Sequence, residues 1–137
     1  MIPMKTAFYS TDCSVDSALA LRSWLATNAD GAIHLTVVHA YDIEAGTALT
    51  KEAFRAAKQQ AKARLDHWLE MLYQSWTGEV KPETLLASPE LAITMHLLLR
   101  SYDILLLDEQ IIAETILNQT KTNCCRIRNY GMSVQNL

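Results

Sequence analysis

Glycine is scarce in this chain: four residues in 137, and none between Gly78 and Gly131. Phosphate loops rely on backbone N–H groups that glycine leaves open to close approach, so that long stretch holds no glycine-rich phosphate cradle. Cysteine is equally rare. Cys13, Cys124 and Cys125 form an odd set without C-x-x-C spacing, which argues against a disulfide framework or a zinc knuckle and leaves them as small apolar filler. Positive charge is not in excess: 12 Lys and Arg against 15 Asp and Glu give a net charge of −3, which excludes a generally basic nucleic-acid binder. Apolar runs fall far short of the ~20 residues of a membrane span. The opening Met1-Ile2-Pro3-Met4-Lys5 lacks the parts of a signal peptide, so a cytoplasmic location is expected. No G-x-S-x-G elbow, Walker loop or H-E-x-x-H occurs, and His34, His39, His67 and His96 have no metal-ligand spacing. No metal site or catalytic residue is expected.

What is present is ordinary globular composition, half hydrophobic and one-fifth charged. A chain of this size buries roughly 68% of its unfolded surface, enough for one core. Residues 1–137 are read as a single domain, with 121–137 an irregular or edge-strand tail. The pattern predicts a strand over Met4–Ser10, then a helix from about Val15 to Thr27 capped by Ser14. The expected core stripe of that helix is Val15, Ala18, Leu19, Leu25 and Ala26, and Asn28-Ala29-Asp30-Gly31 is its stop signal. A second strand follows over Ile33–Tyr41. A long helix, Thr50–Trp76, carries Phe54, Ala57, Ala61, Leu65, Trp68, Leu72 and Trp76 as its buried stripe. Its other face, with Lys51, Arg55, Lys58, Lys62 and Asp66, is a solvated one.

Val80–Ala87 is a weaker strand. Pro82 cannot donate to a ladder and so assigns it to a sheet edge. Ser88-Pro89-Glu90 starts a helix that runs to about Ser101, and Asp103–Leu107 is a strand buried on both faces. The last helix spans about Ile111–Lys121, and the alternating Cys125–Tyr130 segment suits a short edge strand. Strands alternating with helices predict an α/β domain: an open parallel sheet with helices on both faces and ligands bound at the carboxyl ends of the strands.

The segment Phe8-Tyr9-Ser10-Thr11-Asp12-Cys13-Ser14 resembles the strand, T/V-D-x-S, helix opening of the universal stress proteins. Leu35-Thr36-Val37-Val38-His39-Ala40-Tyr41-Asp42 resembles that family's second strand, and the long helix and Tyr102–Leu107 follow in the right order. The resemblance covers about residues 4 to 110. It implies strand order 3-2-1-4-5, a cytoplasmic setting and homodimers that commonly use the last strand. It also implies adenine near the positions of Asp12 and Ala40. The family holds phosphates in a G-x-x-G segment after the fourth strand, where this chain reads Asp108-Glu109-Gln110-Ile111 with no glycine.

The expected ligand-binding residues are Asp12, Cys13, Ala40, Asp108 and Glu109. Asp12 has two readings, a helix-start acid or a ligand contact. Were Asp12, Asp108 and Glu109 to share a cleft, they would repel a triphosphate, since like charges ~4 Å apart at an effective dielectric of ~20 cost about 4 kcal/mol. The same three acids could hold a hard cation such as Mg²⁺. The expectation is a small-ligand-binding or dimeric interaction module of the stress response. It would not be an enzyme, would need no cofactor and would bind neither nucleic acid nor membrane. The alternative is an ATP- or AMP-binding protein with weak ATPase activity that holds phosphates through Asn118, Gln119, Thr120 and Lys121.

Overall fold

The computed structural model describes residues 4–28, 33–76 and 78–127. In chain order the elements are β1 (Lys5–Ser10), α1 (Val15–Asn28), β2 (Ile33–Tyr41), α2 (Lys51–Tyr73), β3 (Glu79–Leu86), α3 (Pro89–Leu99), β4 (Ile104–Leu107), α4 (Glu114–Thr120) and β5 (Asn123–Arg126). The five strands form one sheet in the order β3-β2-β1-β4-β5, every neighbouring pair parallel. Pro82 lies on β3, at the free edge its missing N–H requires.

Alternation along the strands divides the core in two. Tyr9, Leu35, Val37 and Leu106 pack under α1 and α2. Phe8, Val38, Leu105 and Leu107 pack under α3, with α4 supplying Ile116 and Leu117 at the margin. Local chemistry sets the helix starts. The Thr50 hydroxyl accepts from the Ala53 N–H at 3.1 Å and the Ser88 hydroxyl from the Leu91 N–H at 3.2 Å. Before α1, the Ser14 hydroxyl accepts from the Ser17 N–H at 3.1 Å. Each cap contributes about 1 kcal/mol. At the amino end of the sheet, the Asp103 carboxylate accepts from the Thr6 N–H at 2.9 Å, starting the β1–β4 pairing. At Gly78 a Cβ would overlap the Trp76 ring, so a larger residue there requires that ring to shift.

Two of the expected stripes are corrected. In α1 the buried residues are Ser17, Ala18, Leu21 and Leu25, while Val15, Leu19 and Ala26 are exposed. The reason is a polar requirement. Trp68 of α2 is fully buried, and its indole N–H donates to the Ser17 hydroxyl at 2.9 Å. The Ser17 proton goes to the Ser14 carbonyl at 2.8 Å, so the Thr11 hydroxyl, 3.0 Å away, donates to Ser17 and accepts the Cys13 N–H at 2.9 Å. Serving this network turns Ser17 inward and Val15 and Leu19 outward. In α2, Phe54 is exposed and the buried stripe begins at Ala61. Of the α1 stop signal, residues 29–31 lie outside the described residues, as does the chain from Arg128 onward.

A second polar group sits under α3. His96 is buried against the Phe8 ring, with centroids 4.8 Å apart. Its Nδ1 is 3.3 Å from the Tyr102 hydroxyl and its Nε2 is 3.8 Å from Glu83. Burial pushes the imidazole below its ordinary value near 6.5, with Glu83 opposing the shift and Arg100 and Lys81 adding to it. Burial likewise pushes the neighbouring Tyr102 hydroxyl above its ordinary value.

Ser17→Ala strands the Trp68 N–H and the Thr11 hydroxyl and should cost about 1–3 kcal/mol in urea denaturation. Leu19→Ala, two residues on and on the exposed face, should stay within about 0.5 kcal/mol; equal losses would contradict the network. For His96, the unfolded chain binds the proton more readily than the native one. Stability from this group is therefore complete above about pH 6.5 and is lost as pH falls through that value. Wild type should lose more stability than His96→Gln between pH 7.5 and pH 5.5, and parallel curves would refute the assignment.

Candidate functional site

Strand order reverses between β1 and β4, where an open α/β sheet offers a crevice at the carboxyl ends of its strands. Asp12 is exposed there, and its carboxylate accepts from the Ser14 N–H at 2.9 Å, a helix-start role. Cys13 turns the chain into α1 with a left-handed φ of 63°, a conformation that costs a non-glycine residue about 1 kcal/mol. Its thiol is pushed up to about 12, first by burial and then by the Asp12 charge, with Arg64 opposing.

The end of β4 is closed by its own side chains. Asp108 continues the strand alternation and faces the α1/α2 side. It is 5% exposed there, and the Tyr9 hydroxyl donates to its carboxylate at 2.7 Å. The Asp108 N–H donates to the Gln110 side-chain oxygen at 2.9 Å, and Gln110 reaches back to the Ser10 carbonyl at 3.5 Å. Arg126 of β5 donates to the Asp108 carbonyl at 2.7 Å. Ile112 is buried in the α3-side core, so α4 starts at Glu114 rather than near Ile111.

The expected convergence of Asp12, Asp108 and Glu109 therefore does not form. Asp12 caps, Asp108 points inward and Glu109 is exposed. Among the described residues, no three His, Cys, Asp or Glu side chains come together in a way that could hold a metal ion. Asn118, Gln119, Thr120 and Lys121 close α4 just before β5 begins at Asn123, which pairs with Ile104 at the start of β4. They lie at the amino end of the sheet, opposite Asp12, and cannot complete a phosphate site with it.

Ala40 faces the α3-side core, away from α2. On the α2 side, an open cavity of about 620 Å³ lies between the β2–α2 loop and the first half of α2. Its walls include Asp42, Glu44 and Thr47 from the loop and Ala57, Gln60 and Arg64 from the helix. Gly46 turns the loop with φ 90°. The volume lies within the usual range for small-molecule sites. Arg64 also acts electrostatically on Cys13, which links the cavity to the end of β1.

Nearby, the buried His39 holds its Nδ1 3.0 Å from the Thr11 carbonyl. A carbonyl only accepts, so Nδ1 donates this hydrogen bond and Nε2 is the ring's other polar atom. That Nε2 has no hydrogen-bond partner among the described residues. The sequence reading missed the cavity-lining residues. Their signal was the small side chains Ala53, Ala56 and Ala57 above the bulky Leu65 and Trp68, which leave the helix's first half without filling. Cys13 should resist a thiol reagent such as DTNB at pH 8 in the native protein and react once unfolded, while exposed Cys124 reacts first. Native labelling of Cys13 at the Cys124 rate would contradict its burial.

No protein-family model matches the sequence, and no curated protein matches it significantly. Solved structures do match over nearly the whole chain. A universal stress protein from Archaeoglobus fulgidus is 15% identical with a TM-score of 0.58, over 93% of this chain and 96% of its own. A universal stress protein family protein from Arabidopsis thaliana with AMP bound is 14% identical with a TM-score of 0.57, over 91% and 92%. A universal stress protein in complex with cAMP is 12% identical with a TM-score of 0.58, over 90% and 96%. At such identities the likeness is one of architecture, and it agrees with the strand order and helix placement found here: this chain has the fold of the universal stress proteins.

Proposed function

We propose that the protein is a universal-stress-type ligand-binding module that takes a nucleoside monophosphate or a molecule of similar size and polarity. The observation that carries this reading is the cavity of about 620 Å³ beside the strand ends, walled by Asp42, Glu44, Gln60 and Arg64. One guanidinium matches one phosphate group, and the two carboxylates accept from ribose hydroxyls or an amino group. That proteins of the same fold were solved with AMP and with cAMP supports the size class. A triphosphate is disfavoured. The Asp108 N–H is already used by Gln110, and the seven-residue α4 opens with an acid, Glu114. In this reading the module has no catalytic chemistry and needs no cofactor. It works as a homodimer in the cytoplasmic stress response.

Thermal shift and calorimetry with adenosine, AMP, cAMP and ATP test the proposal. AMP or cAMP should raise the melting temperature saturably, reaching about 2.7 kcal/mol of stabilisation at ~100 times the dissociation constant. Ala57→Phe should remove the effect by filling the cavity, and Arg64→Ala should weaken AMP about tenfold while sparing adenosine. Tighter binding of ATP than of AMP, or binding indifferent to Ala57→Phe, would overturn the reading.

A further inference from the structure

One flank of α2 carries a row of charge of a single sign. Lys51, Arg55, Lys58 and Lys62 are all exposed and follow one another at steps of four, three and four residues. On a helix of 3.6 residues per turn, that spacing holds them in an arc of about 60° along roughly 16 Å of axis. Neighbours in the row are i,i+3 and i,i+4 pairs of like charge, which repel. Lys51 and Arg55 also stand near the amino end of α2, where the helix dipole favours acids. Among the described residues none of the four takes part in an ion pair. The row therefore breaks two local rules, and the fold supplies nothing that offsets them, a conflict that marks functional surfaces. Beside it Phe54, three residues from Lys51 and four from Lys58, keeps 41% of its surface exposed.

We propose that this row docks an acidic helix of another protein, one whose carboxylates repeat at the same four- and three-residue steps. Alternating steps of four and three residues make the seam along which two helices lie side by side. A helix laid along α2 has the same repeat, so one carboxylate meets each cation, and Phe54 receives an apolar residue at the margin. Width selects this partner over other polyanions. The four cations are a third of the chain's 12 Lys and Arg, and the whole chain is acidic, with a net charge of −3. Glu52, Asp66 and Glu70 are exposed on the same helix, to one side of the row. A membrane surface or a nucleic-acid duplex is broad enough to meet those acids, whereas a single helix touches the row alone. A single nucleic-acid strand is equally narrow but binds by stacking successive bases on several aromatics, and only Phe54 flanks the row. Exposed ion pairs contribute little each and are screened by salt, so the complex is weak and sensitive to ionic strength. Ala57, Gln60 and Arg64, which line the cavity, leave α2 on a different side. Docking and ligand binding are therefore separate, and either can fail without the other.

Fluorescence anisotropy with the full chain tests this, using a short labelled peptide helix that carries Glu at steps of four, three and four residues with one Leu beside them. Binding should saturate at low salt and weaken at least tenfold between about 50 and 300 mM NaCl. Lys58→Glu should weaken it at least fivefold. The same variant should raise the melting temperature by about 1–4 °C, because two repulsive pairs become attractive ones. Lys5→Glu, at an exposed position on β1, makes the same change in net charge and should leave binding within about twofold. Absence of binding at low salt, equal binding of a peptide with the same composition in scrambled order, or affinity unchanged by Lys58→Glu overturns the proposal. Tighter binding of a single-stranded oligonucleotide or of phosphatidylserine vesicles than of the peptide overturns it too.

Discussion

The arrangement depends on one polar demand inside an apolar layer, the indole N–H of Trp68. A donor buried without an acceptor costs about 1–3 kcal/mol, and this one is met by a serine on another helix, 2.9 Å away. The single Ser17 hydroxyl serves Trp68, Thr11 and the Ser14 carbonyl together, so it joins α2, the end of β1 and the first turn of α1. With that junction made, Trp68, Leu65 and Leu72 fill the space over the middle of the sheet. The alanines earlier in α2 are left facing the β2–α2 loop across open space. The cavity is the other consequence of the packing that buries Trp68.

The end of β4 answers the same question of backbone satisfaction in a different way. A phosphate-binding loop keeps its N–H groups free for a ligand. Here the Asp108 N–H goes to Gln110, its carbonyl to Arg126, and its carboxylate to Tyr9. Polar groups that a glycine-rich loop would present outward are consumed by side chains of the chain itself. The ligand-sized space lies instead beside β2, near one arginine and two acids.

Much of the frame was legible because its signals are local. Thr50 and Ser88 sit where a side-chain oxygen can accept from the N–H three residues on, and Pro82 needs an edge. The site was less legible. Asp12, Asp108 and Glu109 are near one end of the sheet, but their side chains leave in three directions, and strand alternation alone takes Asp108 inward. The α1 register escaped for a similar reason. Several faces of that helix are apolar, and the choice fell to a serine whose partner lies 51 residues away.

By itself the amino-acid sequence determined the order of strands and helices, their caps, the edge position of β3 and the absence of a glycine cradle, since each follows from neighbours within a few residues. The tertiary structure alone decided which face of α1 is buried, where the acids point and where a cavity remains. Those outcomes depend on groups brought together across the sheet, where an unsatisfied donor or an unfilled volume has a cost that no short stretch of sequence records.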